Sequence, residues 1–333
     1  MRIAVDAMGG DDAPGAMIKG AVEAVKAARG EFDVVLVGKR RLIEEDISRN
    51  GYDTAHIEIV HASEIVGMSE GPATAIRRKK DSSITLAVKE HKEGRVDAVF
   101  SNGNTGAVVA SSLLSLGRLR GIIRPAIAIL MPTRGKYTVL LDGGANSDCY
   151  PHHLEQFAYM GSIYSETFMG TVNPKVGLLN IGKEESKGNE LVRESYTLLK
   201  DSKLNFVGNV EGTDIFEGTV DVVVTDGFVG NVILKFSESI VTYLSSFFKD
   251  EMKNAFLPKL GGFLMKPAFR NLKKKLDYAE YGAMPLLGVK GAVFIGHGGS
   301  SSRAVKNGII SISRFVRDEI NRKIIMRMKE DLV

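Results

Sequence analysis

The sequence predicts a three-layer α/β fold on a mixed, mostly parallel sheet, and three observations carry that prediction. Short apolar runs recur along the 333 residues without polar alternation, amphipathic stretches lie between them, and glycines cluster where the runs end. Runs without alternation are what strands covered on both faces look like, and βαβ order puts helices on both faces of a sheet.

Taken in order, strands are expected at Arg2–Asp6, Phe32–Val37, Ile57–Val60, Asp97–Phe100, Ala126–Met131, Tyr137–Asp142, Lys175–Asn180, Leu204–Val210, Val220–Thr225 and Ala292–Ile295. Helical spacing at Ala16–Ala28, Leu154–Ser165 and Leu191–Leu199 fills intervals between them. No fixed-period repeat and no Pro/Gly/Ser linker interrupts the pattern. The chain is therefore expected to be one unit of two lobes on one sheet, divided approximately into 1–95 plus 290–333 and 96–289. A long helix, Val232–Met252, runs into Pro258, Gly261-Gly262 and Pro267, and a second helix passes through Leu272 and Leu276. This reads as a helical hairpin, 232–278, projecting from the body. Its tip interleaves Phe256, Leu257, Leu260, Phe263 and Leu264 with lysines and arginines that include Arg270 and Lys273. Two readings fit such a tip, a homodimer interface and an anionic membrane surface, and they are compatible if the stems pair the protomers.

Composition narrows the function classes. With 44% hydrophobic and 25% charged residues, the chain is neither a disordered tail nor a collagen-like fibre. The surplus of 44 Lys/Arg over 40 Asp/Glu, a net +4, does not call for nucleic acid. A single cysteine, Cys149, excludes an internal disulfide and a multi-cysteine metal site, and suits a reducing compartment. Asp6 interrupts the N-terminus too early for a signal peptide, and no apolar run approaches the roughly 20 residues that span a bilayer. A cytoplasmic protein is expected.

The 36 glycines are the strongest chemical signal. They gather after strands, in Asp6–Asp11, Ser101–Gly106, Asp142–Asn146, Asn180–Lys183, Asp226–Asn231 and His297–Ser300. Beyond the carboxyl ends of strands in an α/β sheet lies the ligand crevice, and helix N-termini there present free N–H groups to an anion. An anionic substrate is the implication, although some of these glycines serve tight turns.

Several motifs compete. Gly177–Glu184 nearly matches a P-loop, but Glu184 replaces the Ser/Thr that holds Mg²⁺ and the intervening residues read as a strand. Lys183 survives that rejection as a phosphate or oxyanion ligand. Gly67-Met68-Ser69-Glu70-Gly71 matches a nucleophile elbow, yet Pro72 follows where a helix should already have begun. No dinucleotide-binding glycine fingerprint follows the first strand. Cys149 reads as a small buried hydrophobe or, less simply, as a nucleophile near His152 and His153. His297 points into the crevice or is structural. Asp6, Asp142 and Asp226 all end strands, where hydrogen bonding to loop N–H groups is the simple role and metal binding the alternative. Arg77-Arg78-Lys79-Lys80 is a solvated face, or it docks an acidic protein.

With these loops in view, the chain resembles the bacterial phosphate acyltransferase family, the transacylases of phospholipid synthesis. The matching stretches are DAMGGDDAP from Asp6, EGPATAIRRKKDSS from Glu70, SNGNTGA from Ser101, RPAIA from Arg124 and LDGGANSDC from Leu141. GLLNIGKEESKGN from Gly177, GNVEGTDIF from Gly208, VTDGFVGNVILK from Val224, EYGAMPLLGVKG from Glu280 and HGGS from His297 follow. Each is weak alone; in order along the chain they are specific. Asn102 and Gly143 stand where small apolar residues are expected, and Gly299 where serine or arginine is common.

The resemblance implies an isocitrate/isopropylmalate-dehydrogenase-like fold with two intertwined lobes, a helical-hairpin homodimer and a crevice between the lobes. It implies attack of inorganic phosphate on the thioester of a long-chain acyl carrier protein, giving an acyl phosphate that a membrane glycerol-3-phosphate acyltransferase consumes. No cofactor and no metal are expected. Phosphate is already a nucleophile and a thiolate leaves readily, so positioning and oxyanion stabilisation suffice. Lys183 and Asp226 are the expected catalytic residues, Lys183 on phosphate or the developing oxyanion and Asp226 orienting either Lys183 or the attacking phosphate. Gly9, Gly10, Asn104, Thr105, Gly106, Gly182, Asn189, Asn231, Asp6, Asp142, Asn146 and His297 are expected to line or support the anion site. Arg77, Arg78, Lys79, Lys80, Arg270 and Lys273 are the candidates for docking the carrier protein. A same-fold acetyl-CoA phosphotransacetylase, a metal- and nicotinamide-dependent decarboxylating dehydrogenase, and a non-enzymatic membrane scaffold are the competing readings.

Overall fold

A computed structural model of the protein describes residues 1–251, 265, 267 and 282–331. Its strands are β1 Arg2–Asp6, β2 Asp33–Gly38, β3 Ile57–His61, β4 Ala98–Ser101, β5 Ala126–Ile127, β6 Ile129–Pro132, β7 Tyr137–Leu141, β8 Val176–Leu179, β9 Phe206–Val210, β10 Val222–Val224, β11 Met284–Leu287 and β12 Ala292–Ile295. Its helices are α1 Gly15–Ala27, α2 Arg40–Asn50, α3 Pro72–Arg78, α4 Ser83–Lys92, α5 Thr105–Ser115, α6 Pro151–Tyr164, α7 Glu190–Lys200, α8 Gly212–Glu217, α9 Gly227–Glu251, α10 Ser302–Arg317 and α11 Ile320–Asp331.

The expected strands fall within two residues of those observed, with two differences. Ala126–Met131 divides into β5 and β6, and β11 is an addition. The strands form two sheets, ordered β3-β2-β1-β4-β12-β11-β5 and β6-β7-β10-β8-β9. Both are mixed and mostly parallel: β11 runs antiparallel to β12 and to β5, and β6 antiparallel to β7. The segment Ala126–Pro132 begins as the edge of the first sheet and ends as the edge of the second, so one extended stretch joins them. The sheets divide the chain elsewhere than at the expected limits of 1–95 plus 290–333 and 96–289. β4 hydrogen-bonds to β1 and β12, and β11 to β12, so residues on both sides of the second lobe's expected span stand in the first sheet.

Central strands carry the apolar runs because both faces are covered: every residue of β4, β10 and β12 is buried. The first sheet draws together the two ends of the chain. α1 buries Met17, Ile18, Ala21 and Ala24 against α10, which buries Val305, Ile309 and Ile312. The helices approach closely at Gly20, where a Cβ would stand 2.5 Å from the Val305 side chain. Each fully buried aliphatic side chain of this kind stabilises by about 1.5–3 kcal/mol.

α9 begins at the carboxyl end of β10 and runs for 25 residues. The long helix expected at Val232–Met252 is thus observed as α9, Gly227–Glu251, and the hairpin expected over 232–278 lies largely outside the described residues. Its tip and second arm, with Phe256, Leu257, Leu260, Phe263, Leu264, Arg270 and Lys273, lie outside the described residues.

Candidate functional site

Neighbouring parallel strands end side by side, so their loops meet. In the first sheet the loops after β1, β4 and β12 form one corner. Asp11 N–H donates to the Gly298 carbonyl at 2.9 Å. A Cβ on Gly9 would stand 2.6 Å from the Gly103 nitrogen, and one on Gly10 2.9 Å from the Gly298 oxygen. Glycine is required here by close approach, and at Gly10 also by φ +102°.

Asp6 lies buried beneath this corner and accepts from Ser101 Oγ at 2.7 Å and from Met8 N–H at 3.1 Å. Burial pushes its carboxyl above the usual range, against the lowering effect of those bonds. It braces the loops and does not meet solvent. Asn104 caps α5 by accepting from Ala107 N–H at 3.0 Å. Its amide donates to the carbonyls of Gly67, Met68 and Glu70 at 3.1–3.3 Å, so its side chain is fully engaged and positions the Gly67–Glu70 loop. Thr105 and Gly106 open α5, and a Cβ on Gly106 would meet Pro72 Cγ at 2.5 Å. Of the basic run, Lys79 bonds Glu70 at 2.6 Å and the Ile65 carbonyl at 2.7 Å. Lys79 is therefore not a docking residue but a strut for the same loop, and Arg77, Arg78 and Lys80 are the exposed members of the run.

The second corner is built from the loops after β7 and β10. Asp142 is fully buried and takes N–H groups from Ile127, Gly144, Ala145 and Asn146 at 2.8–3.1 Å, together with the Asn146 side-chain amide at 2.8 Å. Burial raises its pKa and the amides oppose that rise. Asn146 also reaches the Pro125 carbonyl at 2.7 Å, so it too is a brace. The first turn of α9 lodges in this loop: Gly227 N–H donates to the Asn146 carbonyl at 2.8 Å. Asp226 caps the helix through Val229 N–H at 2.8 Å, and Asn231 stands exposed beside Gly144.

Lys183, in the loop after β8, pairs with Asp214 of α8 at 3.3 Å and is 63% exposed. Of the two roles expected for Asp226, orienting Lys183 is not seen, since Lys183 bonds Asp214 and Asp226 accepts from Val229 N–H. Burial would raise the Asp214 pKa, but the Glu211 amide, Thr219 and Lys183 outweigh it and hold the carboxyl below its usual range. Gly182 is buried, and Asn189 caps α7 through Val192 N–H at 3.0 Å. Burial and the carboxylates of Asp142 and Asp226 push the Cys149 thiol up to about 12, which removes the nucleophile reading.

His297 supplies the link between the corners. It follows β12 of the first sheet, and its Nε2 lies 2.8 Å from Lys235 Nζ and 3.1 Å from Glu238 Oε2, both on α9. Burial opposes ionisation of Glu238, but His297 and Lys235 hold its carboxyl below the usual range. Neither Lys235 nor Glu238 is among the sequence candidates; their spacing from Asn231, four and seven residues on, was the available signal, since such positions share one helix face. A second basic patch also went unmarked: Arg118, Arg120 and Arg124 are exposed, and no carboxylate of a described residue pairs with them.

Comparison with known proteins gives the family and the fold. A family model described as a fatty acid synthesis protein matches residues 1–323. A phosphate acyltransferase of Dictyoglomus turgidum is 51% identical over 327 residues, 98% of this chain and 97% of the relative. One of Heliobacterium modesticaldum is 50% identical over 333 residues, 100% of this chain and 98% of the relative. The chain belongs to the phosphate acyltransferase family. Among solved structures, a phosphotransacetylase from Streptococcus pyogenes aligns with TM-score 0.63 at 16% identity, covering 96% of this chain and 94% of that one. A 4-hydroxythreonine-4-phosphate dehydrogenase from Klebsiella pneumoniae aligns at 0.53 and 13% identity, over 95% and 97%. This chain and these solved structures share the α/β architecture. The residues at 102 and 143 have local explanations. Gly143 is where a Cβ would strike Ile129, and Asn102 fits because Gly296 leaves room for its amide.

Proposed function

We propose that the protein transfers a long-chain acyl group from the thioester of acyl carrier protein to inorganic phosphate, giving an acyl phosphate and the free carrier thiol. One observation carries the reading: α9, rooted in the glycine corner of the second sheet, reaches the glycine corner of the first through Lys235, Glu238 and His297. From Asp226 to Glu238 the helix rises about 18 Å, enough for a small oxyanion and a thioester side by side.

Phosphate oxygen attacks the carbonyl carbon and forms the C–O bond. The tetrahedral oxyanion collapses with cleavage of C–S, and the departing thiolate takes a proton from water. Loop N–H groups and a lysine stabilise the oxyanion; one aimed donor is worth about 3–4 kcal/mol. Lys183 is itself exposed and held by one contact of 3.3 Å to the buried Asp214, so its ammonium can swing to that role. Exposed Arg77, Arg78 and Lys80, with Arg118, Arg120 and Arg124, offer cationic surface to an acidic carrier protein. The apolar residues Phe228, Val232, Phe236, Ile240 and Phe247 lie exposed along α9, which supports a homodimer through the hairpin stems. No helix of the described residues is long and apolar enough to cross a membrane. Delivery of an insoluble product to a membrane glycerol-3-phosphate acyltransferase accordingly rests on the hairpin tip touching an anionic surface.

The test is phosphate-dependent release of thiol from palmitoyl-acyl carrier protein by the purified protein. Release that needs phosphate and prefers the carrier-bound chain to acetyl-CoA is expected. Equal or better use of acetyl-CoA favours the phosphotransacetylase reading, and no release with either refutes acyl transfer.

A further inference from the structure

From Ala98 to Leu141 the chain contains no Asp or Glu, and Arg118, Arg120 and Arg124 stand close together within that stretch. All three are exposed, as is Lys290, whose backbone N–H donates to the Gly117 carbonyl at 2.9 Å. No carboxylate of a described residue pairs with any of the four. Two apolar side chains are exposed in the same stretch, Leu114 at 62% and Ile123 at 39%. Arginine set among apolar side chains is the composition of a protein interface, where arginine is enriched and lysine depleted.

The loop that carries these arginines is held from two sides. Arg118 bridges Val289, and Leu119 N–H donates to the Gly288 carbonyl at 2.9 Å. Gln156, buried in α6, accepts from Ile123 N–H at 2.8 Å and donates to the Gly121 carbonyl at 2.8 Å. Leu119 and Ile122 turn inward. A fixed backbone presents Arg120 and Arg124, so a partner has little loop motion to arrest on docking. The loop leads directly into the second glycine corner. Pro125, next to Arg124, accepts from the Asn146 amide at 2.7 Å, and Ile127 N–H donates to Asp142 at 2.9 Å. The run Arg77–Lys80 differs in its surroundings. Lys79 is engaged with Glu70, Asp81 follows Lys80 directly, and Glu64 accepts from Asp81 N–H at 3.1 Å. Hydrogen bonds from Ser63 hold the Asp81 carboxyl below its usual range, so carboxylates border that run and oppose an acidic partner.

We propose that Arg118, Arg120 and Arg124, with Lys290, form the surface on which the acidic carrier protein docks, and that Arg77, Arg78 and Lys80 do not. The inference deepens the acyl-transfer reading and rests on it. A guanidinium pairs with a carboxylate through two parallel bonds, so arginines on a fixed loop set the carrier's orientation as well as attract it. Docked there, the carrier stands beside the Asp142 loop, where its thioester enters the crevice. Arg118 also donates to the Ile123 carbonyl and so helps to shape the loop, which makes Arg120 and Arg124 the residues to vary.

Carrier protein binding to the full chain is measured by fluorescence anisotropy, alongside phosphate-dependent thiol release from the palmitoyl carrier. The variants are Arg120→Glu/Arg124→Glu, Arg120→Lys/Arg124→Lys and Arg77→Glu/Arg78→Glu. The first is expected to weaken carrier binding and raise the carrier KM about 10- to 100-fold, with the phosphate KM and the kcat at saturating carrier unchanged. The lysine pair keeps the charge and loses the fork, so a loss of about 3- to 10-fold is expected. Added salt should weaken wild-type binding and change that of the reversed variant far less. Arg77→Glu/Arg78→Glu is expected within about threefold of wild type, since only distant charge is altered. Should the reversed variant not fold, Arg120→Gln/Arg124→Gln makes the same comparison with a smaller loss. Wild-type carrier affinity and KM in the reversed variant overturn the docking surface, as does a greater loss in Arg77→Glu/Arg78→Glu. A rise in the phosphate KM matching the rise in carrier KM shows a structural defect and also overturns it. Lost binding to phosphatidylglycerol vesicles with carrier binding intact assigns the loop to a membrane instead. If wild type binds the carrier through these arginines yet releases no thiol, the acyl-transfer reading falls and the docking surface stands.

Discussion

Gly230 tests whether the crevice depends on rigid seating of α9. A Cβ at this position would stand 1.9 Å from the Asp142 carbonyl oxygen, whereas real Cβ contacts essentially never fall below 3.0 Å. The alanine variant must open the contact by at least 3.0 − 1.9 = 1.1 Å. Asp142 cannot retreat: its N–H is bonded to the Thr225 carbonyl at 2.9 Å and its side chain holds the Gly144–Asn146 loop. The helix must therefore move, and Lys235, five residues on, moves with it. Overpacking of this kind costs about 1–3 kcal/mol. At about 2–4 °C per kcal/mol, Gly230→Ala is expected to melt roughly 2–12 °C below wild type. A misplacement of about 1 Å at a reacting centre costs on the order of 100-fold in rate, so kcat/KM should fall by that factor. Gly212→Ala is the control, because no atom lies within 4 Å of its Cβ position; it should be neutral or stabilising by up to about 1 kcal/mol. Differential scanning calorimetry and the thiol-release assay read both variants. Wild-type melting and turnover for Gly230→Ala would refute the picture of a helix seated rigidly in the Asp142 loop.

Three further outcomes follow from named contacts. Lys183→Ala should lower kcat about 100-fold in the same assay while the melting temperature falls by only a few degrees, since the buried Asp214 carboxylate keeps its bonds from Glu211 N–H and Thr219 Oγ1. With the Cys149 thiol at about 12, only about one molecule in 10⁴ carries the thiolate at pH 8, so Cys149→Ser should retain activity and iodoacetamide should label the native protein slowly. Glu90 bonds Arg95 through two contacts of 2.5 and 2.6 Å that lower its pKa from 4.5. Because the folded value lies below the unfolded one, the stabilisation is present above about pH 4.5 and disappears as pH falls through the folded value. Glu90→Gln should thus cost about 1 kcal/mol at pH 7 by urea unfolding, and the difference from wild type should shrink as pH falls below about 4.5.

Much of the fold was legible because buried parallel strands write themselves as unbroken apolar runs. Arg2–Asp6 and Ala292–Ile295 are observed at the expected limits. β11, Met284–Leu287, escaped notice because it is four residues long, contains Pro285, and is fixed by pairing with β12 and β5 from distant parts of the sequence. Glycine clusters marked the corners where loops pack closely, since chain approach at Gly9, Gly10 and Gly230 leaves no room for a Cβ. The polar candidates were harder to sort. Asp6, Asp142, Asn104 and Asn146 look like ligands in sequence, yet folding turns each of them inward to satisfy loop amides and carbonyls.

What the sequence determined by itself was the alternation of buried strand and covering helix, the position of the glycine corners, and the family, because these follow from residues close together in the chain. Tertiary structure alone decided that Lys183 faces Asp214, that Lys79 is a strut, and that Lys235 and Glu238 reach His297 some sixty residues away. Partner choice among charged side chains depends on distances of a few ångströms between elements, and those are set only when the two sheets and α9 have packed.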